Sequence, residues 1–239
     1  MNLPHNPDQH RADLLFAASI HELKNRFGLL LVNLEALLPQ LTLAPEQQGA
    51  VASIRHDAQY IGDELVRLLT VFKAAGGQLR ANIDQYALED LLEEVVARHA
   101  TTARATGCMI GFECDSELVG FLDEGIIRVV LDTCIYNAVK AGAHQITLRA
   151  VESQDGLRID VDDDGPGFPE EMRLRYNASI DCGSLAPARS VNPAENTTGL
   201  GLYFANSLLA QICEQEACGR LLLGVSPEGG AQASLLIPQ

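Results

Sequence analysis

Between Ile20 and Leu41 the apolar residues Ile20, Leu23, Phe27, Leu30, Leu34, Leu37 and Leu41 recur in alternating steps of three and four. That spacing draws one apolar stripe along a helix, and such a stripe is stable only when it packs against other helices. A second stripe follows at Val51, Ile54, Ala58, Ile61, Leu65, Leu68 and Phe72. The first helix is predicted to run from about Asp8 to Leu38. Pro39 and the segment 41–45 make the turn, and Pro45-Glu46 open the second helix. Two matching seams joined by a short loop predict an antiparallel hairpin. Because a lone hairpin buries little, two chains are expected to pair into a four-helix bundle, a homodimer. A hairpin packed only on its own downstream domain is the alternative.

The run Ala74-Ala75-Gly76-Gly77 ends this pattern, and beyond it strand and helix signals alternate. Short apolar runs predict strands at 83–87, 109–114, 145–151, 157–161, 220–225 and 233–237. Helical periodicity covers 88–104, 124–141 and 200–215. This is an α+β arrangement, an α/β two-layer sandwich with one mixed sheet and helices across one face. The expected division is 1–78 for the helical hairpin and 79–239 for the sandwich. Residues 168–198 are long, polar and rich in Ser, Asn and Pro, which suggests a mobile lid.

Charge is unevenly spread. Through Arg80 there are 7 basic against 8 acidic residues, and beyond it 10 against 24. Phosphate contacts need a basic face, and this excess of carboxylates disfavours one, so no nucleic acid is expected as a direct partner. No apolar run is long enough to cross a bilayer and Met1 to Arg11 is polar, so no membrane partner is expected and the protein reads as cytoplasmic. The six cysteines match no metal-binding spacing and several lie in apolar surroundings, where a reduced thiol serves as a small hydrophobe; a redox role is disfavoured.

The reactive side chains of the first helix are His21-Glu22-Leu23-Lys24-Asn25. His21 lies one residue off the seam, at the rim of the buried stripe, with Asn25 one turn further on. Neutral imidazole is a nucleophile near pH 7, Glu22 can share its proton, and Asn25 can hold a water or carbonyl above it. A lone histidine at a seam edge is more often a plain polar residue, so its weight comes from three segments downstream. Asn137 sits on an apolar helix, where its amide oxygen can coordinate a hard cation, and Lys140 one turn on can meet phosphate oxygens. Asp162-Asp163-Asp164-Gly165-Pro166-Gly167 ends a strand; its glycines let backbone approach a ligand, and a carboxylate there can accept from an amine such as that of adenine. Thr197-Thr198-Gly199-Leu200-Gly201-Leu202 is a glycine-rich loop opening a helix, where backbone N–H groups can cradle phosphates. Each segment alone also has a bland reading, as a helix Asn, an acidic turn or an ordinary loop. No P-loop and no complete dinucleotide fingerprint is present.

In this order the segments resemble the transmitter region of sensor histidine kinases of two-component signalling. His21-Glu22-Leu23-Lys24-Asn25 resembles the family's H box and Asn137-Ala138-Val139-Lys140 its N box. Asp163-Asp164-Gly165-Pro166-Gly167 and Gly199-Leu200-Gly201-Leu202 are similar to its two glycine boxes. The resemblance runs from about Leu14 to Pro238. It implies a dimerising, phosphoaccepting hairpin followed by a Bergerat-type ATP-binding domain, with ATP and Mg²⁺ as cofactors. It further implies that Asp163 holds adenine with Gly165 and Gly167 beside it, and that Asn137 is the Mg²⁺ ligand. Lys140 and the loop Thr198, Gly199, Leu200 and Gly201 would hold phosphates, and His21 would accept the γ-phosphoryl group. The implied partner is a response-regulator receiver domain, to which an Asn at position 25 would add phosphatase activity.

The chain departs from the family at Thr133, where Asn or an acidic residue is usual, and at Arg26, where proline is usual. The lid holds no Phe-rich box, only Met172 to Tyr176, and no sensor segment precedes the first helix. Either the chain has been trimmed or an upstream sensor protein supplies the input. The expected activity is autophosphorylation on His21 with Glu22 as the base, then transfer to a receiver Asp. The alternatives are a phosphotransfer protein without ATP turnover and a non-catalytic protein that sequesters a partner.

Overall fold

The computed structural model describes residues 22–23, 25–26, 28–29, 32–33, 36–38, 51, 81–154, 156–181 and 200–239. The chain divides into two compact units, Met1–Leu79 and Arg80–Gln239. In the first unit the described residues from Glu22 to Leu37 are helical, and Leu23, Leu29, Val32 and Leu37 are each more than half exposed. Most of the second predicted seam lies outside the described residues.

The second unit runs β1 (Asp84–Ala87), α1 (Leu88–Thr106), β2 (Met109–Cys114), β3 (Val119–Leu122), α2 (Glu124–Lys140), β4 (Gln145–Ser153) and β5 (Gly156–Asp163). It continues with α3 (Glu170–Asp181), α4 (Leu200–Leu209), β6 (Cys213–Glu214), β7 (Ala217–Cys218), β8 (Arg220–Val225) and β9 (Ala231–Ile237). Five strands form the main sheet in the order β2-β4-β5-β9-β8; β2 is parallel to β4 and the other pairs are antiparallel. Strands β1 and β3 make a separate antiparallel pair. Parallel neighbours need a crossover, and the chain between β2 and β4 supplies one in α2.

Local chemistry sets the helix ends. In α1 the apolar residues Leu88, Leu91, Leu92 and Val95 recur at helical spacing and are buried, and the helix stops at Gly107, whose φ of 72° no side chain favours. Helix α2 starts at Asp123, whose carboxylate accepts from the Ile126 amide at 3.0 Å, a capping bond that satisfies one of the free N–H groups of the first turn.

The strand register sorts side chains onto two faces. Ile146, Leu148 and Ala150 of β4, Leu157, Ile159 and Val161 of β5, and Ala233, Leu235 and Ile237 of β9 form one buried apolar face. Helices α1, α2 and α4 pack on the sheet and on one another. The opposite face is polar but paired. Asp162 is bonded by Arg149 and by Gln232 Nε2 at 2.9 Å, while Asp160 takes Arg158 Nη2 at 2.6 Å and the Ser234 hydroxyl at 2.6 Å. A one-residue slip of β5 would carry these carboxylates into the core, so their pairing also enforces the register.

Three features differ from the sequence expectation. Strand β3 was not foreseen, because Val119-Gly120-Phe121-Leu122 is short and flanked by charge. Residues 170–181 of the expected lid form helix α3. It docks through side chains: Asn177 donates to the Leu223 carbonyl at 2.9 Å and accepts from the Leu223 amide at 3.0 Å, and the Tyr176 hydroxyl donates to the Leu202 carbonyl at 3.0 Å. Asn206 likewise accepts from the Leu221 amide at 2.8 Å, so amide side chains take the place of a neighbouring strand along the edge of β8. Third, the helix predicted to reach 215 ends at Leu209, and residues 213–218 turn into the hairpin β6–β7 closed by a Cys213–Cys218 disulfide. The expectation of reduced cysteines holds at Cys108, Cys114 and Cys134 and fails at this pair.

Replacing Asn177 by Ala leaves a backbone donor and acceptor of β8 without their partner, a loss of about 1–3 kcal/mol. Amide hydrogen exchange of Asn177→Ala is expected to show faster exchange in α3 and at Leu223, with β4 and β5 unchanged.

Candidate functional site

Asp163 ends β5 and is 5% exposed, yet it carries a carboxylate. What makes this tolerable is backbone: its Oδ1 accepts from the Gly165 amide at 2.8 Å and from the Ala231 amide at 3.1 Å. Burial pushes the carboxyl above its usual range, while the Ala231 and Gly165 amides pull it down. The second donor opens β9, directly after the turn from β8. There Gly229 has a φ of 91°, and a Cβ on Gly230 would overlap the Asp163 carbonyl oxygen. Gly230 is therefore what lets the two strand ends close on one another.

The neighbouring Asp164 does different work. Its Oδ1 accepts from the His144 amide at 2.7 Å and the Gln145 amide at 2.9 Å, and these bonds, Gln145 foremost, hold its carboxyl below the usual range. The segment leaving α2 is thereby stapled to the segment leaving β5. A Cβ on Gly165 would come within 3.0 Å of Asp163 Oδ1, and Gly167 has a φ of 75°, so both glycines of this loop are tied to its shape.

Helix α2 is the rod to which the site segments are pinned. Asn137 is half-buried on it and Lys140 is exposed in its last turn. Thr133, one turn before Asn137, is buried; its hydroxyl donates to the Val129 carbonyl at 2.7 Å, and its methyl lies 3.4 Å from where a Cβ on Gly201 would sit. Gly201 belongs to the first turn of α4, so Thr133 is a packing residue between α2 and α4 rather than an open cation ligand. The structure thus joins Asp163 to Gly165, sets Gly167 against the Gly229-Gly230 turn, and seats Gly201 against Thr133, one turn before Asn137 on α2. Leu200 begins α4, while Thr198 and Gly199 lie outside the described residues.

Of the first-unit residues, His21 also lies outside the described residues. Glu22 and Asn25 are helical and exposed, and Glu22 Oε1 takes Arg26 Nη2 at 2.6 Å, an i,i+4 ion pair in solvent. Sequence reasoning missed Asp164, Gly230 and Ala231; the signal available for the last two was the Gly229-Gly230 pair just before a strand. An open cavity of about 490 Å³ is lined instead by Glu113, Asp115, Leu118, Arg149 and Glu152, and none of the site residues borders it.

A desolvated carboxylate on a strand end, with glycine turns beside it, has the chemistry to accept from an amine-bearing ring, and a helix N-terminus has the chemistry to meet anionic groups. Residues 122–239 match the histidine kinase-, DNA gyrase B- and HSP90-like ATPase family, and this segment belongs to it. The chain as a whole is a homologue of sensor histidine kinases. It is 30% identical over 227 residues to the sensor-type histidine kinase PrrB of Mycobacterium leprae, covering 92% of this chain and 46% of that protein. With the signal transduction histidine-protein kinase AfsQ2 of Streptomyces coelicolor it shares 24% identity over 245 residues, 97% of this chain and 43% of that one. The crystal structure of full-length ShkA in complex with AMPPNP has the same fold, with a TM-score of 0.65 at 23% identity over 97% of this chain and 45% of the other. The chain spans about half the length of the curated relatives it matches. Among the described residues no helix is long and apolar enough to cross a membrane.

Asp163→Ala removes the acceptor of two backbone amides and is expected to cost about 1–3 kcal/mol of stability. Asp163→Asn keeps an oxygen at the same place. Thermal unfolding of the two variants separates the structural share of Asp163 from its ligand share, with Asn well above Ala.

Proposed function

We propose that the chain is an ATP-dependent protein-histidine kinase that phosphorylates His21 and passes the phosphoryl group to an Asp of a response-regulator receiver. The observation that carries this reading is the Asp163 carboxylate. Both of its backbone donors reach Oδ1, so Oδ2 is the atom a ring amine would meet. A buried carboxylate selects a donor over an acceptor, which favours adenine over guanine at that edge. Asn137 is a hard oxygen donor of the kind that Mg²⁺ accepts, and a Mg²⁺ site of one protein oxygen plus phosphates and waters needs no acidic cluster. When bound, the ion would neutralise phosphate charge. Lys140, Thr198, Gly199, Leu200 and Gly201 would hold the phosphates, the helix N-terminus of α4 adding its dipole.

Residues 1–78 would supply the dimerising hairpin and 79–239 the ATP-binding domain. The four exposed apolar side chains between Leu23 and Leu37 support a further packing partner for that helix, as a bundle would provide. Glu22 would take the imidazole proton; its ion pair with Arg26 is solvent-exposed, and such pairs exchange at little cost. Asn25, one turn from His21, would hold a water in line with a receiver phospho-aspartate, so the protein would also dephosphorylate its receiver.

Incubating the chain with γ-labelled ATP and Mg²⁺ tests the reading. Label that is stable to alkali, lost in acid and absent in His21→Ala is expected. Equal labelling of His21→Ala would overturn the phosphoacceptor assignment, and no labelling of the wild type would leave a phosphotransfer or sequestering protein.

Nucleotide affinity should also depend on pH in a fixed direction. Asp163 must be ionised to accept the ring amine, and its carboxyl titrates above the usual aspartate range. Affinity is therefore full above that raised value and falls as pH drops through it, while the protonated form stabilises the empty fold. Calorimetric titration of a non-hydrolysable ATP analogue across the acidic range checks this, with Asp163→Asn showing no such fall.

A further inference from the structure

We propose that the Cys213–Cys218 disulfide is a thiol–disulfide exchange site that opens and closes reversibly on the surface of the second unit. Both cysteines are exposed, as are all four residues between them, so an attacking thiol can reach the bond. The hairpin it closes has little else to hold it. Only two residue pairs, Cys213 with Cys218 and Glu214 with Ala217, are aligned across β6–β7, and none of the six side chains is buried. Gln215 at the turn has a φ of 52°, in the left-handed region that non-glycine residues seldom adopt. A two-stranded hairpin of this size is not stable by itself in water, so the covalent link is what keeps it closed.

Opening the ring does not reach the core. Two bonds outside it hold the flanking chain: the Gly219 amide donates to the Ile212 carbonyl at 2.8 Å, and the Leu221 amide of β8 to Asn206 Oδ1 of α4 at 2.8 Å. Ile212, Leu208 and Leu209 stay buried beneath them. The hairpin thus has two covalent states on one fold, which distinguishes it from a disulfide that closes a core. Exposed disulfides of this kind are the ones that exchange with the thiol pool.

The step is a two-electron exchange with a low-molecular-weight thiol. A thiolate attacks one sulfur, the Cys213–Cys218 bond breaks, and the sulfur that leaves takes a proton from water. A second thiolate then attacks the mixed disulfide, so that two thiols are oxidised to one external disulfide and the cysteine pair is reduced. The reverse reaction closes the ring. Glu214 and Glu216 flank the bond and residues 81–239 carry 24 acidic against 10 basic side chains, so the attacking anion approaches a negative field. A cationic thiol is favoured over an anionic one, and salt weakens the preference.

The test is differential alkylation with peptide mapping of the full chain, folded and without denaturant, equilibrated in cysteamine–cystamine and in glutathione couples. The peptide holding Cys213 and Cys218 is expected to pass from linked to doubly alkylated as the thiol share rises, and back when it falls. Cysteamine should open it at least about tenfold faster than glutathione at low ionic strength, with the gap narrowing in added salt and in the Glu214→Gln, Glu216→Gln double variant. Amide exchange should quicken at Glu214 and Ala217 on opening, while Leu221 stays protected. In Cys213→Ser, Cys218 should form a mixed disulfide with cystamine. A link that survives excess thiol until the protein is unfolded, or a pair that stays reduced in excess disulfide, overturns the proposal. Equal rates for the two thiols overturn the charge selectivity.

Discussion

A carboxylate buried at the end of a strand survives only if donors reach it, and in this fold the donors are the amides of Gly165 and Ala231. That demand shapes the surroundings of Asp163. The loop after β5 must turn back tightly enough to place the Gly165 amide, and the β8–β9 turn must come close enough to place the Ala231 amide, which Gly230 permits by having no side chain. Asp164 then ties the end of α2 to the same point through the His144 and Gln145 amides. Two adjacent aspartates thus have opposite electrostatic settings, one raised by burial and one lowered by hydrogen bonds.

The sheet shows the same logic on a larger scale. Its apolar face is covered by helices, and its polar face keeps Asp160 and Asp162 buried by giving each a guanidinium and a neutral donor. The apolar face contributes the bulk of the stability, since burial of apolar surface is the dominant favourable term. The polar ladder contributes register, because a shifted strand would leave those carboxylates unpaired. A scaffold held in register from both faces keeps the loop ends at 163–167 and 229–231 in place. Across α2, Thr133 sets how close the first turn of α4 can come.

Membership of residues 122–239 in an ATPase family whose members include histidine kinases agrees with the placement of the glycine turns and the strand-end carboxylate. The departures are informative in the same terms. Thr133 fills the gap beside Gly201 with a methyl and satisfies its own hydroxyl on the Val129 carbonyl, so its place in the helix is explained by packing. Arg26, at the place of a usual proline, is itself helical and pairs with Glu22. Tyr176, inside a lid without a Phe-rich box, reaches the Leu202 carbonyl and links α3 to α4.

The sequence by itself determined the periodic elements. Helices α1 and α2 and the long strands follow from apolar spacing, and the α+β order follows from their alternation, because periodicity is a local property of the chain. It also marked Asp163, Gly165, Gly167, Asn137 and Gly201, since those residue types are unusual where they stand. What only the tertiary structure decided is which distant backbone serves them. The amide that bonds Asp163 from 68 residues away, the Asn177 and Asn206 side chains that stand in for a strand beside β8, and the two cysteines joined across a hairpin have no local signature. A buried polar group states a need in the sequence, but the partner that meets it is chosen by strand register and helix packing, which exist only once the chain is folded.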